Sequence, residues 1–243
     1  MERPSIVLVD YEVTCALGLG LKALRKALAE RRTGLVPSDP QQTGLNTWVG
    51  SVPAIDEHPW CAASRVWESR NNALIDIGLR QGTLLRSVDQ LKAAFPASRI
   101  AVVIGSSTSS IDRSEAAYRQ LGPDGTLLPE FRQREVLNPH APGLYVAELL
   151  GLQGPALTIN TACSSSAKVF ATAARWLSLG LVDAVIVGGA DTLCLSVLQG
   201  FHSLQLVSEQ PCRPFDIGRD GINLGEAAGF AILARNADIN EHK

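Results

Sequence analysis

The residue best placed to do chemistry is Cys163, in the stretch TINTACSSSAKVF. An apolar, β-branched strand pattern, ALTIN, ends just before it, and a helical pattern begins just after it. A side chain at the first turn of a helix sits at the positive end of the macrodipole, among backbone N–H groups that have no helical partner. A thiol there has its thiolate stabilised, and the same N–H groups can hold a developing oxyanion on a thioester or ketone. Ser164, Ser165 and Ser166 are small enough to admit a substrate, and their hydroxyls are candidates to cap the helix. Ala167, Val169, Phe170 and Ala173 are expected to bury that helix in the core. On these residues alone two readings stay open: a nucleophile, or a small packing residue at a tight turn. The strand–nucleophile–helix elbow of hydrolases fits poorly. It asks for glycine two residues either side of the nucleophile, where this chain has Thr161 and Ser165.

The elements that must position Cys163 alternate between strand and helix signals. IVLVD (6–10) reads as a strand, and 19–34 as a helix closed by Gly34. A Pro-, Gly-, Thr- and Trp-rich stretch, about 35–63, reads as a long irregular segment. Residues 68–94 carry a helical period through Leu74, Ile77, Leu84, Leu85, Val88 and Leu91. RIAVVIGSS (99–107) is the almost wholly apolar kind of strand that is buried on both faces. Helices are expected around 112–121 and within 142–155, then strand ALTIN, helix 164–180 and strand AVIVGGAD (184–191). That strand–helix–strand order predicts a right-handed parallel crossover. A helix or turn near 192–207, the loop PCRPFDIGRDGINLG and a closing strand AAGFAILAR complete an α/β fold, read as one layered domain.

Composition narrows the function classes. The chain has 243 residues, is 46% hydrophobic and 19% charged, and carries a formal net charge of −2, an ordinary globular composition. Near-neutral charge gives no electrostatic argument for nucleic acid, and no Lys/Arg run suggests a membrane surface, so neither is expected as a partner. The longest apolar runs break well short of the roughly 20 residues that span a bilayer. The start, MERPSIVLVDYEV, is too acidic and too short in its apolar part for a signal peptide. The cysteines (Cys15, Cys61, Cys163, Cys194 and Cys212) are scattered with no CxxC pair, so neither a disulfide framework nor a zinc site is indicated. A reducing cytoplasm fits that usage. Cys15, Cys61 and Cys194 read as small buried hydrophobes.

The stretch TINTACSSSAKVFATAARWLSLGLVDAVIVGGAD resembles the nucleophile segment of the β-ketoacyl-acyl-carrier-protein synthases, the condensing enzymes of fatty acid and polyketide synthesis. CRPFDIGRDGINLGEAAGFAIL resembles a downstream family segment, VTCALGLGLKALRKALAERRTGL its first strand and helix, RIAVVIGSSTSS its second strand and pocket loop, and LNPHAPGLYVAELLGLQGP the segment before the nucleophile strand. GFHSLQLVS and NLGEAAGFAIL are similar in wording to synthases of bacterial aryl-polyene clusters.

The resemblance implies a thiolase-like fold, layered α/β/α/β/α in the complete family. Here only an N-terminal ketoacyl-synthase domain over 1–243 is expected, with a mixed, mostly parallel sheet and the C-terminal half absent. It implies that Cys163 accepts an acyl chain from a carrier-protein thioester, with its own N–H as one oxyanion donor, and that a carbanion from decarboxylating malonyl-carrier protein then attacks the acyl-cysteine. No metal or bound redox cofactor is implied. The implied partners are acyl carrier protein and a second subunit, in a homodimer or in a heterodimer with another synthase. By the same resemblance Thr108 and Phe201 line the acyl pocket, and Glu226 is a buried structural acid with a basic partner.

The family's remaining catalytic groups (a histidine in an HGTGT-like loop, a lysine, a histidine in a GH motif and a GFGG loop) have no match here. His58, His140, His202 and His242 lie in none of those motifs. Condensation by this polypeptide alone is therefore not expected, and an uncovered apolar face is. Two other readings remain: a non-catalytic partner resembling a chain-length factor, and a cysteine-dependent thioesterase or acyl transferase using His140 or His202.

Overall fold

The computed structural model describes residues 5–52, 55–131 and 134–235. The chain opens with strand β1 (Ile6–Cys15) and helix α1 (Gly20–Ala29), then three short elements: β2 (Val36–Pro37), α2 (Pro40–Thr43) and β3 (Trp48–Gly50). Next come α3 (Arg70–Leu79), α4 (Leu84–Ala94), β4 (Ile100–Gly105), α5 (Ile111–Arg119), α6 (Arg134–Leu137) and α7 (Ala141–Leu150). The final part carries β5 (Ala156–Ile159), α8 (Ser165–Ser178), β6 (Ala184–Asp191), α9 (Leu195–Ser203), β7 (Leu224–Gly225) and β8 (Ala227–Arg235).

The main sheet has the order β1-β8-β6-β4-β5. β4 is parallel to β5 and to β6, while β8 is antiparallel to both β6 and β1. Four strands therefore run one way and β8 runs back, which is the mixed, mostly parallel sheet expected. A small sheet, β2-β3-β7, lies apart from it. Every residue of β4 is buried because both of its faces are covered. Ile100, Val102 and Ile104 join Leu74, Leu79, Val146 and Leu150 of α3 and α7 on one side. Ala101 and Val103 join Val169, Ala173 and Leu177 of α8 on the other. The alternation follows from the two-residue period of a strand.

Several boundaries differ from the sequence reading. β1 runs on to Cys15, because its second half pairs continuously with β8 up to Ala227. α1 ends at Ala29, and Gly34 lies beyond it, packed against the Ala16 backbone. The period over 68–94 belongs to two helices, α3 and α4, separated by a break at Gly82, where φ is +58°. The loop 211–225 contributes β7, which pairs with β3.

Candidate active site

Cys163 is exposed and stands between the end of β5 and the start of α8. The turn is closed by its neighbours. The Ser165 hydroxyl accepts the Thr161 N–H at 2.9 Å and donates to the Ala162 carbonyl at 2.6 Å. The Ser164 hydroxyl donates to the Thr161 carbonyl at 2.9 Å. The Ser164 and Ser165 N–H groups return to the Thr161 and Ala162 carbonyls, and neither bond uses the Cys163 N–H. Ala162 is held at φ 52°, a left-handed conformation costly for a residue with a Cβ. The strain thus falls one residue before the thiol, and serine hydroxyls hold it where a hydrolase elbow has glycines. Contrary to expectation, Ser164 at the N-cap of α8 caps no first-turn N–H with its side chain. The hydroxyls are turned back into the preceding turn, which leaves the positive end of α8 open to a ligand.

Two glycines let this turn lie on the sheet. A Cβ on Gly105, at the end of β4, would stand 2.6 Å from both Ser165 C and Ser166 N. One on Gly189 of β6 would stand 2.7 Å from Ser166 Cβ. Gly105 and Gly189 are register partners in the parallel β4–β6 pair, so the first turn of α8 rests across the carboxyl ends of both strands. Those ends are where open α/β sheets place their ligands.

Thr108 is 4% exposed and its hydroxyl is fully engaged. It donates to Asp191 Oδ1 at 2.9 Å and accepts the Thr192 N–H at 3.2 Å and Asn71 Nδ2–H at 3.3 Å. Glu226 is buried, and its carboxylate takes the Arg70 guanidinium through Nε at 2.5 Å and Nη2 at 2.9 Å. It also accepts the Val52 and Leu193 N–H groups, each at 3.0 Å. The Glu226 carboxylate, with that of Asp56, raises the pKa of Arg70 against the opposing effect of burial. The structure therefore brings Thr108 and Glu226 together, because the consecutive residues Arg70 and Asn71 hold one each, as do Leu193 and Thr192. Phe201 is half-buried on α9 and belongs to neither network.

The other candidate groups are placed as follows. His58 is bonded through Nε2 to Asp76 at 2.7 Å, His140 is exposed at the N-cap of α7, and His202 is exposed on α9. His242 lies outside the described residues. Cys194 is buried, and burial pushes its thiol up to about 11. Cys15 is half-buried, and Cys61, expected to be buried, is exposed. The Ser64 hydroxyl, 3.2 Å from Cys61 Sγ, holds that thiol below its ordinary value, with help from nearby backbone N–H groups. Among the described residues, no cluster of His, Cys, Asp or Glu could hold a metal, and no helix is long and apolar enough to cross a membrane.

Val169 and Ala173 bury α8, but Ala167 and Phe170, expected in the core, are exposed, Phe170 by 45%. Phe170 borders a groove of about 360 Å³ that runs past Ser166 to Leu8, Tyr11 and Phe230 on the β1–β8 side of the sheet. Leu8 and Tyr11 are likewise about half exposed, so an apolar face lies open beside α8.

Residues 68–238 match the family model described as the N-terminal domain of beta-ketoacyl synthase. The chain is 32% identical to 3-oxoacyl-[acyl-carrier-protein] synthase 2 of Vibrio harveyi, covering 96% of this chain and 58% of that protein. It is 29% identical to nodulation protein E of Rhizobium meliloti (strain 1021), covering 94% and 57%. A chain of the solved complex of a ketosynthase with its chain length factor from Xenorhabdus doucetiae superposes with a TM-score of 0.81 at 31% identity, covering 96% of this chain and 58% of that one. A beta-ketoacyl synthase from Burkholderia phymatum shares the fold at a TM-score of 0.78 and 20% identity, covering 98% and 60%. The chain thus spans between 57% and 58% of the length of these curated relatives.

Asp191, Arg70 and Asn71 were not singled out from the sequence. The one available signal for Asp191 was its place as the polar end of an apolar strand, AVIVGGAD, at the ligand-binding edge of such sheets.

Proposed function

Because the chain belongs to the beta-ketoacyl synthase family through that family's N-terminal domain, we propose that it is the acyl-accepting part of a β-ketoacyl-acyl-carrier-protein synthase, with Cys163 as nucleophile. The observation that carries this reading is the turn itself: an exposed thiol at the uncapped N-terminus of a helix, in a conformation that neighbouring hydroxyls hold against strain. In the first step the Cys163 thiolate attacks the carbonyl carbon of a carrier-protein thioester. The oxyanion that forms is held by the Cys163 N–H, which the bonds of the turn leave out. Collapse expels the carrier thiolate, which takes up a proton, and leaves an acyl-cysteine. Thr108 and Phe201 border the acyl chain in this reading, while Glu226 braces the site through Arg70.

The second step needs donors for the enolate that malonyl-carrier protein forms as it loses carbon dioxide. His58 is committed to Asp76, and none of the chain's histidines lies in one of the family's histidine motifs, so in this reading the donors come from another region or subunit. The open groove beside Phe170 offers a surface on which a further region or a partner subunit would pack. Acyl carrier protein is the proposed acyl donor, and a second synthase subunit, identical or not, the proposed partner. The polyketide and fatty acid classes both fit, including the aryl-polyene type.

A second reading, a non-catalytic subunit resembling a chain length factor, draws on the likeness to a complex of a ketosynthase with such a factor. The exposed Cys163 in a built turn favours the acyl acceptor. A thioesterase would need a histidine at the thiol; the His58 ring is bonded to Asp76 instead.

The test is to supply acyl- and malonyl-carrier protein with and without a full-length partner synthase whose own cysteine is replaced by alanine. The acyl-acceptor reading predicts acyl transfer to this chain in both cases, and ketoacyl product that depends on Cys163. No acyl transfer to this chain in either case, with product formed only when the partner keeps its own cysteine, would hand the role to the partner and support the non-catalytic reading.

A further inference from the structure

One carboxylate oxygen at the end of β6 gathers an unusual number of donors. Asp191 Oδ1 accepts the Ser106 hydroxyl at 3.1 Å, the Ser107 N–H at 2.7 Å, the Thr108 N–H at 2.8 Å and the Thr108 hydroxyl at 2.9 Å. An anion suits four converging donors, since bonds to an ionised acceptor are roughly twice as strong as neutral ones. If satisfying the loop after β4 were its whole role, Asp191 would be a structural acid. Two further connections extend that role towards the thiol.

The first is the orientation of Thr108. Its hydroxyl proton points at Asp191 while its oxygen accepts Asn71 and Thr192, so a single rotamer satisfies all three bonds. The side-chain methyl is then aimed in one direction only. The second is the tie to the nucleophile strand. The Ser106 N–H donates to the Ile159 carbonyl at 3.1 Å, at the end of β5. Gly105, immediately before this loop, carries the backbone of Ser165 and Ser166 on its open side. The loop that Asp191 holds is thus anchored both to the strand that leads into the Cys163 turn and to the helix that leaves it.

We propose that Asp191 is a positioning residue for acyl-chain selection: by fixing Thr108 relative to the Cys163 turn, it sets which chain lengths fit behind the thiol. The inference rests on the proposed roles of Cys163 as acyl acceptor and Thr108 as a wall of its pocket.

The experiment uses N-alkyl iodoacetamides with short and long alkyl groups on the full chain. The thiolate displaces iodide, and peptide mass spectrometry reads the rate at each cysteine. Exposed Cys61 serves as a reference within the same molecule. In Asp191→Asn the ratio of long-chain to short-chain rates at Cys163 is expected to change by at least about threefold, a fraction of the roughly 10- to 200-fold that one methylene can decide in a close pocket. The ratio at Cys61 is expected to stay put. Thr108→Val, which lacks the hydroxyl, is expected to shift the Cys163 ratio in the same direction, and the double variant to shift it no further. Equal slowing of all reagents in Asp191→Asn, or additive effects of the two variants, would reduce Asp191 to a structural acid. If Asp191→Asn does not fold, an unchanged ratio in Thr108→Val overturns the inference by itself. The reagents need no carrier protein. A shifted ratio without any acylation by thioesters would therefore sink the enzymatic reading alone, and acylation with an unshifted ratio would sink this inference alone.

Discussion

The Thr161 N–H donates to the Ser165 hydroxyl at 2.9 Å, so the residue two places before Cys163 is clasped to the residue two places after it. The same hydroxyl reaches the Ala162 carbonyl at 2.6 Å, and between these bonds Ala162 is kept at φ 52°. A left-handed residue with a Cβ costs about 1–2 kcal/mol and persists only where its surroundings over-determine it. The direction of the Cys163 side chain is therefore set by bonds made on either side of it.

Ser165→Ala removes both bonds of the clasp and leaves the Thr161 N–H without its acceptor. The expected cost is about 1–3 kcal/mol in urea denaturation, together with slower alkylation of Cys163 and an unchanged rate at Cys61. Equal rates at both thiols relative to the parent protein would mean that the clasp does not govern the Cys163 thiol.

Gly105→Ala tests the seat of the turn. The added methyl would stand 2.6 Å from the Ser165 and Ser166 backbone, so α8 must lift from the sheet. A loss of about 1–3 kcal/mol is expected, as for overpacking in a well-filled core, with Cys163 reactivity reduced further than in Ser165→Ala. A variant as stable and as reactive as the parent would show that the turn has room that the structure does not give it.

Glu226→Gln breaks a buried ion pair and leaves Arg70 with Asp56 as its remaining anion. Removing one member of such a pair costs about 3–5 kcal/mol, and the lower end is expected because Asp56 stays. Thermal unfolding measures it; a shift equivalent to less than about 1 kcal/mol would contradict the bracing role given to the pair.

Much of the sheet was legible because its central strands are short, nearly all-apolar runs, a pattern that fits little other than a strand covered on both faces. The strand–Cys163–helix joint was legible for the same reason, with Gly and Pro marking its limits. The break between α3 and α4 was not, since both helices feed apolar residues into the same core and the period carries across the gap. Phe170 reads as core from its spacing, but spacing reports an apolar face and not what covers it. Asp191 was out of reach for a different reason: its partners lie 83 to 85 residues earlier in the chain, and only the parallel pairing of β4 with β6 brings them together. Cys61 sits in a stretch without any period, so its exposure had no local signal.

Alkaline pH should lower stability through Cys194. Burial raises its folded pKa to about 11 from the ordinary thiol value of 9.0. The folded form keeps its proton where the unfolded chain has lost it, so between those values unfolding releases a proton and stability falls as pH rises. Tyr145, also raised by burial, acts in the same sense at higher pH. Urea denaturation at pH 8 and pH 10.5 is expected to show a smaller drop for Cys194→Ser than for the parent. An identical drop would remove the Cys194 thiol from the account.

The central claim is that Cys163 accepts an acyl group, and intact-protein mass spectrometry tests it most directly. The chain and its Cys163→Ala variant are each incubated with a short acyl-carrier-protein thioester. The account predicts one acyl adduct on the parent chain and none on the variant, even though exposed Cys61 remains in both. A folded parent chain that takes up no acyl group, or a variant that takes up as much as the parent, would contradict it.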